Sequence, residues 1–210
     1  MKIKRWIALV LTAMMAVSVL TACGGSGGGT GVSGSLSTNS VQAQLKATGV
    51  DVDLTYDSTM NLAVNEAAAE LHKSGSLNAA RNKVINKMGW DALSVLKNAW
   101  NQLWNGGILT PRISYGLVQV VNAEDLKNNR GDGWVVGQLG VHQGKAALMA
   151  PINTPEKYAA TLLLAVDGTI GTLTEKVNSK ANVSYSVAGR KAQAPDGTEY
   201  WVFAAQIHIG

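Results

Sequence analysis

The chain has 210 residues, of which 46% are hydrophobic and 15% charged, enough for one ordinary core. The formal charge of +4 is concentrated at the start, in Lys2, Lys4 and Arg5. Without those three cations, 15 Lys+Arg face 14 Asp+Glu, so residues 23–210 carry no basic excess of the kind that nucleic-acid binding requires.

After the positive start, Trp6 to Leu20 forms an apolar run, short for a bilayer span of about 20 residues and suited to a secretory signal. It ends in Leu20-Thr21-Ala22-Cys23, with small residues before the chain's single cysteine and Gly24-Gly25 after it. This segment resembles a bacterial lipoprotein lipobox. The resemblance implies cleavage before Cys23, acylation of its thiol and of the new amino terminus, and attachment to a membrane by acyl chains alone. Cys23 is the one assigned site residue. With no second cysteine, an intramolecular disulfide and a cysteine-based metal site are excluded, and Cys23 is consumed by the anchor.

Residues 24–40 (GGSGGGTGVSGSLSTNS) are too rich in Gly and Ser to bury a core. The expected organisation is therefore a signal peptide at 1–22, a lipidated Cys23 with a flexible linker to 40, and a single domain at 41–210.

In that domain, Asp57 or Ser58 can cap a helix carrying Met60, Val64, Ala67, Ala68 and Leu71, ended by Gly75. Asn78 opens a second helix with Val84, Ile85 and Met88, ended by Gly89. Asp91 caps a third with Leu93, Leu96, Trp100, Leu103 and Trp104. Strands are expected at 113–121 and 134–141, and Glu124-Asp125 suit the first turn of a short helix. Thr154-Pro155 opens a helix through Tyr158, Leu162, Leu163 and Val166, expected to stop at Asp167-Gly168. A terminal hairpin follows, with arms at 183–191 and 198–209 around Pro195-Asp196-Gly197. In its second arm Trp201, Phe203, Ala205, Ile207 and Ile209 are expected to face the core. Tyr200, Val202, Ala204, Gln206 and His208 are expected to face solvent. Helices first and an antiparallel sheet later predict an α+β fold, with an α–β–α sandwich as its fuller form.

Two segments carry a further resemblance. Leu54-Thr55-Tyr56-Asp57 before LAVNEAAAEL, and the tail YSVAGRKAQAPDGTEYWVFAAQI, are similar to the opening and the final hairpin of the CAP superfamily (cysteine-rich secretory, antigen 5 and pathogenesis-related 1 proteins). The resemblance implies an α–β–α sandwich with a cleft. In that family an intact cleft carries two histidines and two acids, one His lying before the penultimate strand. Here residues 177–182 (VNSKAN) hold no histidine, which implies a divergent member without those metal ligands.

The remaining chemistry is sparse. His72 stands near a helix C-terminus, where a cation is favoured. His142 follows a strand, and His208 lies near the chain's end. None belongs to a short-range ligand pair. Ser94-Val95-Leu96-Lys97 matches the Ser-x-x-Lys of acyl enzymes without its partner motifs. Arg130-Gly131-Asp132 is an integrin-type tripeptide that also reads as a turn. Trp100 and Trp104 read as core packing, with a platform for sugars or peptides as the alternative.

No catalytic residue, metal or cofactor is assigned. The expected function is a membrane-anchored envelope lipoprotein with a binding domain for an envelope protein or glycan, outside the cytoplasm, and no nucleic-acid partner. The alternative is an envelope hydrolase whose site joins His142 or His208 to a distant acid.

Overall fold

The computed structural model describes residues 32–90, 113–130, 148–177 and 183–209. Its four strands are β1 (Val32–Ser35), β2 (Ile113–Asn122), β3 (Val183–Gln193) and β4 (Glu199–Ile209), in the order β1-β3-β4-β2 with every pair antiparallel. The β3–β4 hairpin turns where the sequence signals it. Gly197 takes φ 85°, and the Asp196 carboxylate accepts the Thr198 N–H at 2.9 Å.

Five described helices flank this sheet: α1 (Thr38–Ala47), α2 (Ser58–Ser74), α3 (Leu77–Met88), α4 (Ala123–Lys127) and α5 (Pro155–Val177). Helix α2 has the expected ends: Asp57 accepts the Met60 N–H, and Gly75, at φ 67°, donates to the Leu71 carbonyl. Its buried stripe is Met60, Ala63, Val64, Ala67, Ala68 and Leu71. Helix α3 begins earlier than expected, because Ser76 rather than Asn78 supplies the cap. Lys87 on α3 donates to the Glu66 carboxylate on α2, which holds Glu66 below the usual carboxylate range. Asn122 caps α4, whose first turn contains Glu124 and Asp125 as expected.

Helix α5 starts as expected. The Thr154 hydroxyl accepts the Lys157 N–H and its carbonyl the Tyr158 N–H. It does not stop at Asp167-Gly168 but runs on to Val177. The apolar sequence spacing through Val166, Ile170, Leu173 and Val177 keeps its helical period, and Gly168 and Gly171 each cost only about 1 kcal/mol against that.

The sheet is covered on both faces. Trp201, Phe203, Ala205 and Ile207 of β4 pack with α1 and α5, where the Tyr158 and Phe203 rings stack at 4.9 Å. Tyr200, Val202 and Ala204, on the other face of β4, pack with α2 and α3. The expectation that this second face is solvated is corrected: Val202 is 0% and Ala204 1% exposed. The alanine-rich stripe of α2 lets the helix lie close on small sheet residues, so the middle of the sheet, at Ala188, Val202 and Ala204, is dry on this face too. The described fold is thus α+β, with helices in the first half and an antiparallel sheet mostly from the second.

The linker boundary is also corrected. Residues 32–40, expected to be flexible, form β1 and the start of α1. Val32 and Ser33 pair with Ala192 and Lys191, the Leu36 N–H donates to the Gly189 carbonyl at 3.0 Å, and Ser37 caps α1. A free edge of β3 offers main-chain partners that even a Gly/Ser-rich segment can use.

Candidate polar cleft at the end of the sheet

Period-two alternation and the observed register place two rows of side chains on the α2–α3 face of the sheet. In one row Ser114 of β2 stands opposite His208 of β4, which stands opposite Ser184 of β3. In the next row Gly116, Gln206 and Ser186 are aligned in the same way. Farther along β4 this face is apolar, at Ala204 and Val202. With the change from aliphatic to Gln, His and Ser the face opens: Gln206 and Ser186 are still buried, whereas Ser114, Ser184 and His208 in the last row are half-buried.

The wall on the β3 side is the segment that leads into α2. Leu54 makes a parallel bridge to Tyr185, and the Thr55 N–H donates to the Tyr185 carbonyl at 2.7 Å. The Thr55 hydroxyl donates to that same carbonyl at 3.1 Å and lies 3.0 Å from Ser186 Oγ. With the Thr55 proton committed to the carbonyl, Ser186 donates to Thr55 and keeps lone pairs free to accept. Tyr56 projects from this segment and is 76% exposed at the rim. Asp57 follows it, with one carboxylate oxygen held by the Met60 N–H at 2.9 Å. Met88, the last residue of α3, completes a cleft of about 490 Å³.

Two groups in the cleft stand out. His208 Nδ1 lies 2.7 Å from Ser114 Oγ, a contact that serves either tautomer. Gln206 is 6% exposed, and its Oε1 has no hydrogen-bond partner among the described residues. Such a buried, unpaired amide oxygen costs about 1–3 kcal/mol. Behind Gln206, Gly116 leaves room for the Trp90 indole: a Cβ on Gly116 would lie 2.2 Å from its Cζ2.

Among the described residues no Lys or Arg lines the cleft, and Asp57 is the one acid that does. Among the described residues no group of three or more His, Cys, Asp or Glu could hold a metal. On the opposite face, burial and the Asp167 carboxylate, which accepts from Tyr185 Oη at 3.0 Å, push the Tyr185 phenol above its ordinary pKa.

The structure separates the sequence candidates. His208 enters the cleft instead of facing open solvent. His72 stands in the last turn of α2, where its Nδ1–H donates to the Gln193 carbonyl at 2.6 Å, well away from His208 in the register. His142, Ser94, Lys97, Trp100, Trp104, Gly131, Asp132 and Cys23 lie outside the described residues. Sequence reasoning missed Ser114, Ser184, Ser186, Gln206 and Thr55. The available signal was polar residues at period two, Ser184-x-Ser186 and Gln206-x-His208, at the same end of two apolar strands. No protein-family model, curated protein or solved structure matches this chain.

Proposed function

We propose that the chain is a lipid-anchored lipoprotein of the cell envelope whose domain is a binding module, with the cleft around His208 as its ligand site. The observation that carries this reading is the cluster of hydrogen-bonding side chains at one end of a sheet face whose middle, at Ala188, Val202 and Ala204, is aliphatic and covered. A purely structural face would be better filled by residues like Val202 and Ala204, since unpaired polar groups there cost stability. The anchor rests on residues 1–23, which combine a basic start, an apolar run and Leu-Thr-Ala-Cys. Among the described residues no helix is long and apolar enough to cross a membrane.

A divergent CAP-like domain is part of the same proposal. Both segments that carry the resemblance, Leu54–Asp57 and the terminal hairpin, border this one cleft, and helices lie on both sides of the sheet between them. The departure is that the imidazole in the cleft comes from the last strand.

Anchoring is tested by labelling cells with an alkyne fatty acid and separating membranes. The wild type is expected to be labelled and membrane-bound, and Cys23→Ala unlabelled and released. An unlabelled wild type overturns the anchor.

One observation favours a second reading, a hydrolase. In the Ser114–His208 contact an imidazole can take a hydroxyl proton, as nucleophilic catalysis requires. Against it, no carboxylate among the described residues orients His208 in the way an acid orients the base of a triad. A fluorophosphonate probe decides between the two. An adduct on Ser114 that disappears in His208→Ala supports the hydrolase, whereas an unmodified Ser114 together with saturable ligand binding supports the module.

A further inference from the structure

We infer that the ligand of this cleft is an uncharged, polyhydroxylated chain, a stretch of neutral glycan; the inference rests on the cleft being the binding site proposed above.

Charge narrows the class first. Among the described residues an anionic ligand would meet no Lys or Arg in the lining and one carboxylate, Asp57. A metal or a polycation would need several converging acids, and Asp57 already gives one oxygen to the cap of α2. Polarity narrows it next. An acyl chain or sterol needs a mostly apolar wall, whereas the cleft offers Ser114, Ser184, Ser186, Gln206 and His208, with Met88 its main aliphatic surface. Hydroxyls, an amide and an imidazole each offer a donor, an acceptor or both, which matches the hydroxyl groups of a sugar.

A peptide fits less well. Its usual route to affinity is to add a strand at a free sheet edge. The floor here is the face of the sheet, which presents side chains rather than main-chain groups, and the β3 edge beside it is taken at Tyr185 by Leu54 and Thr55, so a peptide main chain in the cleft finds no ladder to join. A sugar ring needs none. Its hydroxyls can satisfy the side chains of the floor, and its C–H face can lie on an aromatic ring, which Tyr56 presents at the rim. Gln206 gives the strongest indication: a buried amide whose oxygen has no partner among the described residues marks a place where a ligand hydroxyl can complete the hydrogen bonding.

The test titrates the full chain with uncharged hexasaccharides (β-1,4-linked N-acetylglucosamine, β-1,4-glucose and α-1,4-glucose). Heparin hexasaccharide, a neutral hexapeptide and phosphatidylglycerol vesicles serve as comparisons. Heat is measured together with the NMR signals of the His208 ring. At least one neutral glycan is expected to bind saturably and shift the His208 resonances. Ser184→Ala and the exposed Tyr56→Ala are each expected to weaken binding by about tenfold. Both positions lie at the open part of the cleft, so a loss of binding is separable from a loss of fold, which the thermal midpoint of each variant reports. If no neutral glycan binds, or if the variants bind it as the wild type does, the glycan assignment is overturned. The comparison ligands then separate the two levels. A peptide, heparin or vesicle that shifts His208 leaves the binding cleft standing with another ligand. Titrations in which nothing moves His208 overturn the cleft as well.

Discussion

At the scale of single residues, the cleft depends as much on a missing side chain as on those present. Gly116 sits in a strand, where glycine is weakly favoured, yet its φ is not left-handed, so backbone freedom does not explain it. The indole of Trp90 does: it occupies the space of the absent Cβ, and its own N–H finds no partner among the described residues. Gly116→Ala is expected to push the indole aside and cost about 1–3 kcal/mol, as overpacked cores do. Urea unfolding measures this as a lower midpoint at unchanged slope. In a Trp90→Leu background the same substitution should cost less, because the two positions share one space. Equal costs in both backgrounds would refute the contact. Gly116 also faces Gln206 in the register, so a displaced indole is expected to disturb the cleft floor.

At the scale of elements, the local signals were legible and the long-range ones were not. Asp57, Gly75, Gly89 and Thr154 act where their chemistry places them, because a cap is a contract between residues three or four apart. The end of α5 differs from the expectation because the local stop signal, Asp167-Gly168, is outweighed by the apolar period that continues past it. What Asp167 does is a tertiary matter. It accepts the Tyr185 hydroxyl and so ties α5 to β3. Burial first, and the Asp167 charge second, disfavour the phenolate in the folded protein. Since the folded pKa lies above the unfolded value near 10, this contribution is complete below pH 10 and is lost as pH rises beyond it. Tyr185→Phe is therefore expected to be about 1 kcal/mol less stable at pH 8, from the lost hydrogen bond. It should also lose less stability than the wild type between pH 10 and 11.5. Urea midpoints at pH 8, 10 and 11.5 check both parts, and parallel declines would refute the buried phenol–carboxylate contact.

At the scale of the whole molecule, the α+β class followed from the order of elements, but the layering did not. Alternation in β4 identified two faces correctly. Val202 and Ala204 were assigned to solvent because nothing local tells a strand whether a helix will cover its second side. The same gap hid the cleft: Ser114 and His208 are 94 positions apart and meet only through the register of β2 with β4. It also hid the true start of the domain. A Gly/Ser-rich segment is flexible alone, but beside the edge of β3 it gains a ladder, the Leu36–Gly189 hydrogen bond and a cap for α1. Leu36 additionally packs on the core beneath α1 and α5. A chain starting at residue 32 is therefore expected to melt like one starting at Cys23. A chain starting at Val41 should lose the Ser37 cap, worth about 1 kcal/mol, and the partial burial of Leu36, worth roughly 1 kcal/mol. For a domain of this size that lowers the midpoint by about 4–8 °C. Calorimetry of the three chains decides the matter. Equal melting of the 32 and 41 starts would mean that β1 adds nothing to the fold, returning residues 32–40 to the tether. A drop confined to the 41 start would shorten the tether to the residues before 32 and make its end part of the sheet that carries the cleft.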